Sequence, residues 1–368
     1  MEQAIYTGCF FLTQAIVARS VPIDVFAEFS SFYSAVILLS IIHNCTVAEP
    51  ILVFLGENKR PSAKSILIAN IPGSIFAILF TIYISSKSPN IPGPVYALTL
   101  ISFLTYWTNR SIAWQNGGII KLAIPAILQT TCIYTLTLLK TPSLESILIT
   151  ISACLIIPSL TTRKNHSQIE NINTIESAKF SSINLTAQTF LWMMTHGLVI
   201  YYSVTAAPIE STKLRVILTL ILPAQYLNIA LSNYYLPLLS KEKNPATAAI
   251  IFLKISAAAA LAYGGVLYLF GNRLATLLYG AAFANIDVSA YFLLPFILST
   301  IQSTRTILKA RQKHVQILYS MSIGIAVFAL TKTMKIQLEV SALVGLLASS
   351  SILSIQTIKS FKRKNEFL

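Results

Sequence analysis

Apolar runs of about 20 residues recur along the chain, separated by short breaks that hold most of the charged residues. Because a helix rises about 1.5 Å per residue, a run of this length crosses the roughly 30 Å hydrocarbon core of a bilayer. The pattern predicts an all-α polytopic membrane protein with about twelve transmembrane helices. We place them at residues 3–18, 26–48, 63–85, 93–108, 118–139, 144–160, 180–203, 216–238, 247–270, 288–308, 314–332 and 338–358.

The longest polar stretch, at residues 161–179, reads TTRKNHSQIENINTIESAK and divides the apolar runs into two sets of six. Its polar groups would find no hydrogen-bonding partners in hydrocarbon, so we expect a loop at the membrane surface. The sequence thus predicts an N-lobe at residues 1–160 with helices 1 to 6 and a cytoplasmic inter-lobe loop at 161–179. A C-lobe at 180–368 follows, with helices 7 to 12 and a basic cytoplasmic tail.

A short internal repeat accompanies this division. The motif VPID at 21–24 follows the first predicted helix, and APIE at 207–210 follows the seventh. Matches this short also arise by chance in apolar sequence. Together with the central loop, however, they favour a duplication of six helices, and membrane carriers often bind substrate between such repeats.

Composition argues against a soluble globular protein. The chain is 55% hydrophobic and 11% charged, whereas soluble domains carry roughly 25% charged residues. Its 27 basic residues outnumber its 13 acidic ones, which gives a net charge of +14. If both termini are cytoplasmic, 18 basic residues lie on the inner side and 8 on the outer side, as the positive-inside rule requires. We therefore attribute most of this charge to topology and lipid headgroups, and we expect no nucleic-acid partner.

Motifs of enzyme active sites are missing from the sequence. Its four histidines show no HExxH spacing, and no GxSxG motif, phosphate-binding P-loop or carboxylate cluster occurs. No connection between helices is longer than the central loop, which leaves no room for a soluble catalytic domain. We expect a transporter that acts within the membrane, with no catalytic residue, metal or cofactor; coupling to a proton or sodium gradient stays open.

Five basic residues are candidate contacts for a phosphate group. Lys254 lies inside the ninth predicted helix, Arg19 and Arg215 flank outer helix ends, and Arg110 and Lys121 flank inner ones. Charged groups at membrane depth are costly and are functional candidates by default. The alternatives are a Lys254 side chain that extends to the interface and arginines that anchor helix ends there.

The seventh predicted helix contains a stripe of polar and aromatic groups. Gln188, Trp192 and His196 follow each other at intervals of four residues, which places them on one helical face. An aromatic face beside hydrogen-bonding groups suits a glycan, and Gln14 is a comparable polar residue in the first helix. Interhelical hydrogen bonding without a ligand is the alternative.

Glu49 is the candidate for ion coupling. It precedes Pro50 at the end of the second predicted helix, where a buried carboxylate would take up a proton. The alternative is a structural role at a helix that the proline ends.

Residues 10–54 resemble the opening of bacterial polysaccharide flippases of the multidrug/oligosaccharidyl-lipid/polysaccharide (MOP) superfamily, in the O-antigen (Wzx-type) branch. They show a first helix that ends at Arg19, aromatic residues at 26–29 beside an acidic residue, and a second helix that ends at Glu49. Further similarity lies at 215–240 (the family's eighth helix), 271–283 (an outer-loop LLYG element) and 305–312 (the start of an inner loop). The chain differs in starting almost directly within the first helix and in having few basic residues inside its helices.

The resemblance implies a MATE-like fold of two six-helix lobes around a cleft in a bacterial inner membrane, with both termini cytoplasmic. It implies a flippase for undecaprenyl-pyrophosphate-linked oligosaccharides in O-antigen or other polysaccharide biosynthesis. Its partners would be that substrate, membrane lipids, a polysaccharide polymerase and glycosyltransferases. A small-molecule or ion antiporter and a glycan polymerase or ligase are the alternatives, although the latter generally needs a large extracytoplasmic loop.

Overall fold

A computed structural model gives the conformation of most of the chain. It describes residues 2–49, 66, 68–87, 92–115, 123–139, 142–161, 174–205, 207–241, 245–334 and 336–365. The regular structure of these residues is helical, and none of them lies in a β-strand. The predicted all-α class is confirmed.

The described helices of the first half are α1 Glu2–Ser20, α2 Ile23–His43, α3 Ile71–Lys87, α4 Gly93–Gln115, α5 Ile124–Leu139 and α6 Leu144–Thr161. A π-helical segment, Asn44–Ala48, continues α2. Those of the second half are α7 Thr174–Met193, α8 His196–Val204, α9 Pro208–Lys241, α10 Ala246–Tyr279, α11 Leu294–Ala310, α12 His314–Thr333 and α13 Leu338–Asn365. Two 3₁₀ turns, Ala281–Phe283 and Ser289–Tyr291, connect α10 to α11.

Every predicted span has a helical counterpart among the described residues. By length and composition, five segments of the part that the structure describes suffice to cross a membrane: Ile23–Ala48, Pro208–Ser240, Ala246–Tyr279, His314–Thr333 and Leu338–Phe361. Shorter apolar helices lie at Ile71–Ser86, Ile124–Leu139 and Leu144–Ile156. The fold is that of a polytopic membrane protein.

Two predicted boundaries were wrong. The helix expected at 180–203 is two helices, because a turn at Met194 and Thr195 separates α7 from α8. There the backbone bonds tighten from four-residue to three-residue spacing, with the Thr195 N–H donating to the Trp192 carbonyl at 3.1 Å. In addition, α7 begins at Thr174, inside the loop expected at 161–179. Apolar pattern marks only the part of a helix in hydrocarbon, so it missed this polar turn.

The chain forms two compact units. The first contains residues 1–185 and 199–212, and the second contains 186–198 and 213–368. In the first unit, α1 packs on α5, α4 packs on α6, and α2 packs on α3 and α4. Its core holds fully buried aromatic residues, among them Phe29, Tyr96 and Phe103.

In the second unit, α10 packs on α11, and α13 packs on both α11 and α12. Glycines allow α12 and α13 to approach each other closely. A Cβ added at Gly345 would lie 2.7 Å from the carbonyl oxygen of Gly324, and one added at Gly324 would lie 2.8 Å from that of Gly345. The backbones of α12 and α13 therefore meet where neither helix has a side chain, as small residues allow in membrane helices.

Candidate functional site

In the first unit, Arg110 lies over the ring of Tyr6. Its guanidinium carbon is 4.5 Å from the ring centroid, which is the geometry of a cation–π interaction. The indole Nε1 of Trp107 donates a 2.7 Å hydrogen bond to the phenol oxygen of Tyr6. Arg110 is only 9% exposed. The predicted phosphate contact is thus a buried cation held by aromatic rings of α1 and α4.

His43 adjoins this cluster at the end of α2. Its ring centroid is 6.1 Å from that of Trp107, and its Nε2 is 3.4 Å from the hydroxyl oxygen of Thr108. That hydroxyl is also 3.3 Å from the side-chain oxygen of Asn70. The π-helical segment begins directly after His43, and π-helical turns are frequent at functional sites. The imidazole, the indole and the phenol are all buried, so they form one hydrogen-bonded cluster inside the first unit.

Sequence reasoning missed this cluster apart from Arg110. Tyr6, His43 and Trp107 stand in apolar runs, where single aromatic residues are usually part of the core. A possible signal was the spacing of Trp107 and Arg110, which puts an indole and a cation on one face of α4.

Glu49, the predicted ion-coupling residue, contacts a polar partner in the same unit. The Asn184 side-chain amide donates a hydrogen bond to its Oε2. Asn184 is buried, and Glu49 is half-buried. An amide and a carboxylate together suit a proton or a small cation, and this role stays a prediction.

Glu28 of α2 is a carboxylate that sequence reasoning did not single out. The phenol of Tyr96, which is completely buried, donates a 2.8 Å hydrogen bond to Oε1 of Glu28. Glu28 lies in the second turn of α2 and is half-buried. A carboxylate inside a transmembrane helix is a candidate for proton or ion binding.

In the second unit, Arg215 contacts His196. Their Nη1 and Nδ1 atoms are 3.4 Å apart. A guanidinium only donates hydrogen bonds, so Nδ1 of His196 accepts and its ring carries the proton on Nε2. Arg215 is 1% exposed and His196 is 8% exposed. The buried ring of Tyr279, at the end of α10, lies near the same guanidinium.

The turn between α7 and α8 places His196 at a helix start. Trp192 belongs to α7 and lies against Gly197 of α8, where an added Cβ would be 3.4 Å from its ring. The expectation that Gln188, Trp192 and His196 lie on one uninterrupted helical face is therefore wrong, since the helix ends between the second and third of them. Interrupted helices line substrate sites in many transporters.

The other predicted contacts are dispersed. Gln14 is completely buried, and its amide donates a 3.4 Å hydrogen bond to the Phe10 carbonyl of its own helix. Arg19 is exposed at the end of α1, and Lys254 is exposed in α10. Lys121 lies outside the described residues. In addition, Arg305 in α11 is 1% exposed, a buried cation that sequence reasoning had placed among the interfacial charges.

Solved structures match the chain along nearly its whole length. An inward-facing MATE family transporter of the MOP superfamily has a TM-score of 0.65 at 12% identity, covering 98% of this chain and 94% of that chain. The lipid II flippase MurJ, in an inward closed conformation, has a TM-score of 0.65 at 14% identity, covering 98% and 86%. The MATE transporter VcmN of Vibrio cholerae has a TM-score of 0.63 at 13% identity, covering 100% and 94%.

No protein-family model and no curated protein sequence matches the chain. At these identities the likeness establishes the fold. The chain therefore has the fold of MATE transporters and of MurJ.

Proposed function

We infer that this protein is a flippase that moves undecaprenyl-pyrophosphate-linked glycan repeat units across the bacterial inner membrane by alternating access. The observation that carries this inference is a buried arginine in a helix of each unit. Arg110 lies against Tyr6 and Arg215 against His196. A buried cation in a membrane protein is costly and is a functional candidate, and arginines bind phosphate groups through bidentate, charge-assisted hydrogen bonds.

The groups around these arginines suit the glycan. Trp192, which is half-buried, offers a ring for sugar stacking near His196 in one unit, and Tyr6 and Trp107 form a buried aromatic pair beside Arg110 in the other. Gln188 and Gln14 add amide groups. The known fold also supports this function, because MurJ is described as a lipid II flippase, and a lipid-linked glycan is the same kind of substrate.

In this function the protein delivers glycan repeat units for surface polysaccharide biosynthesis. Glycosyltransferases would build the lipid-linked unit on the cytoplasmic side, and a polymerase would consume it on the other side. Both termini would be cytoplasmic, as the basic residues at helix ends favour.

A reconstituted assay tests the proposal. Purified protein in liposomes receives a fluorescent undecaprenyl-pyrophosphate oligosaccharide, and a membrane-impermeant quencher reports transfer between leaflets. We expect Arg110→Gln and Arg215→Gln to lower the rate at least tenfold, because each removes a charge-assisted contact of about 1.5–3 kcal/mol. The matched control is Arg273→Gln, since Arg273 is exposed in α10. Transfer at the wild-type rate by both arginine variants would refute the pyrophosphate assignment.

A second function, antiport of a small molecule against an ion, is favoured by one observation. Glu28 lies within α2 and is bonded to Tyr96, and an antiporter needs such an ionisable group in a helix. Liposomes with a pH or sodium gradient and a fluorescent organic cation distinguish the two functions. Gradient-driven uptake of the cation, with no transfer of the lipid-linked glycan, would favour the antiporter.

A further inference from the structure

The turn between α11 and α12 is fastened to the end of α13. Nη1 of Arg311 donates a 2.8 Å hydrogen bond to the backbone carbonyl of Ser360 and lies 3.3 Å from its hydroxyl oxygen. The Arg311 guanidinium carbon is 4.7 Å from the ring centroid of Phe361. Gln312 follows with a φ of 56°, so the turn reverses the chain within three residues. This turn has a fixed position on α13.

An apolar cluster supports the same end of the second unit. Leu239 of α9, Phe252 of α10 and Ile307 of α11 are buried together, and Phe361 of α13 packs against them. Four helices therefore meet beneath the turn. The residues at this end of the second unit therefore lie on a packed apolar cluster.

Four basic residues whose side chains the structure describes lie at this junction, and we call them the basic rim: Lys309, Arg311, Lys313 and Lys359. Lys359 is exposed, and the other three are partly exposed. Between residues 288 and 361 the sequence has one acidic residue, Glu339. It lies in the first turn of α13, roughly 30 Å from Lys359 at about 1.5 Å per residue. The sequence adds Glu242 and Glu366 just after α9 and α13, together with Lys241, Lys243, Lys362, Arg363 and Lys364, so the charge around the rim is positive on balance.

Exposed apolar side chains lie near the rim along α12 and α13. Val315 and Tyr319 in α12, and Ile355 and Ile358 in α13, are all exposed. They lie within about one and a half helical turns of a rim residue. α13 has 28 residues, about 42 Å, and exceeds the roughly 30 Å hydrocarbon core. A helix of this length is long enough for its end to lie in the headgroup layer while the neighbouring residues lie among lipid tails.

We propose that the basic rim binds the phosphate headgroups of anionic phospholipids, which hold this end of the second unit at the membrane surface. Lipid is the occupant because the cations directly adjoin exposed apolar side chains, an arrangement that matches a headgroup with its acyl chains and does not match a soluble anion. Each lysine near an anionic surface strengthens such binding about fivefold. This site does not depend on the transported substrate.

The test is native mass spectrometry of the full-length protein in detergent with added phosphatidylglycerol or phosphatidylcholine. The rim variant is Lys313→Gln with Lys359→Gln. The matched control is Arg273→Gln with Lys332→Gln. It also removes two charges, but near the C-terminal ends of α10 and α12, whereas the rim lies near their N-terminal ends. Lys313→Arg with Lys359→Arg restores the charge, and the single variants are measured beside the pairs so that a folding defect in one pair is recognised.

We expect the rim variant to lose at least tenfold in phosphatidylglycerol binding with its phosphatidylcholine binding unchanged. The control and the arginine variant should both bind phosphatidylglycerol like the wild type. Wild-type binding by the rim pair, or by both single variants, would overturn the proposal. Displacement of phosphatidylglycerol by an equal concentration of inorganic phosphate would also overturn it, since the site would then take the free anion.

Discussion

Arg215 donates a hydrogen bond to Nδ1 of His196, and both side chains are buried within the second unit. The two residues belong to different helices, α9 and α8, and only the fold brings them together. The bond holds the guanidinium in place and fixes the imidazole tautomer. This pair therefore places a cation beside an imidazole inside the second unit.

Removing the imidazole should weaken both the fold and transport. We expect His196→Ala to lower the free energy of unfolding by about 1–3 kcal/mol, because the buried guanidinium loses an acceptor. Thermal unfolding in detergent measures this loss. His196→Asn, which offers a side-chain oxygen, should recover part of the stability; equal stability of His196→Ala and the wild type would show that the bond contributes nothing.

The Tyr6 ring and its hydroxyl make separable contributions. Tyr6→Phe keeps the ring beneath Arg110 and removes the acceptor of the Trp107 indole, which should cost about 1 kcal/mol. Tyr6→Leu also removes the cation–π interaction and should cost a further 0.5–2 kcal/mol or so. Thermal stability and glycan transfer are measured for both variants. Identical losses in the two variants would contradict the cation–π contribution.

Glu28 has a direct test as an ion-coupling residue. Glu28→Gln is nearly isosteric but cannot ionise, so we expect transport driven by a pH gradient to fall at least tenfold while gradient-independent transfer persists. Asp24→Asn is the matched control, because Asp24 is an exposed acid one turn earlier in α2. An unchanged pH response in Glu28→Gln would leave Glu49 as the candidate, tested in the same way by Glu49→Gln.

Two adjacent glycines in α10 should respond oppositely to alanine. A Cβ at Gly264 would clash with the backbone carbonyl of Phe292, whereas one at Gly265 would meet nothing within 4 Å. Gly264→Ala should therefore destabilise the protein by about 1–3 kcal/mol. Gly265→Ala should stabilise it by roughly 0.5–1 kcal/mol through helix propensity. Melting temperatures of the two variants check the expected difference in sign.

Arg19 and Lys254, both exposed, test the remaining phosphate contacts. We expect Arg19→Ala and Lys254→Ala to lower transport several-fold with normal membrane insertion, which immunoblots of membrane fractions verify. Transport at the wild-type rate with both changes present would assign these residues to interface anchoring.

The apolar pattern predicted the helices because every segment in hydrocarbon must have apolar side chains and must form its backbone hydrogen bonds within itself. A run such as 338–358 must be apolar and helical wherever it packs, and α13 indeed covers it. The turn at Met194 and Thr195 left no such signature. Both residues are compatible with a helix, so tertiary packing decides where the interruption falls.

Residue roles were harder to predict than helices. Arg110 and Arg215 stood out because a cation near hydrocarbon is unusual in any context. Tyr96 did not, since its importance is a hydrogen bond to Glu28, which is 68 positions away in the sequence.

The sequence by itself determined that the chain is helical and membrane-spanning, with most of its charges in the breaks between apolar runs. These properties follow from the lipid bilayer, because it requires each spanning segment to be apolar and helical regardless of the other segments. The tertiary structure alone decided which polar groups meet, such as Arg215 with His196 and Arg311 with Ser360. Such contacts depend on distances between helices, and no local pattern of residues encodes those distances.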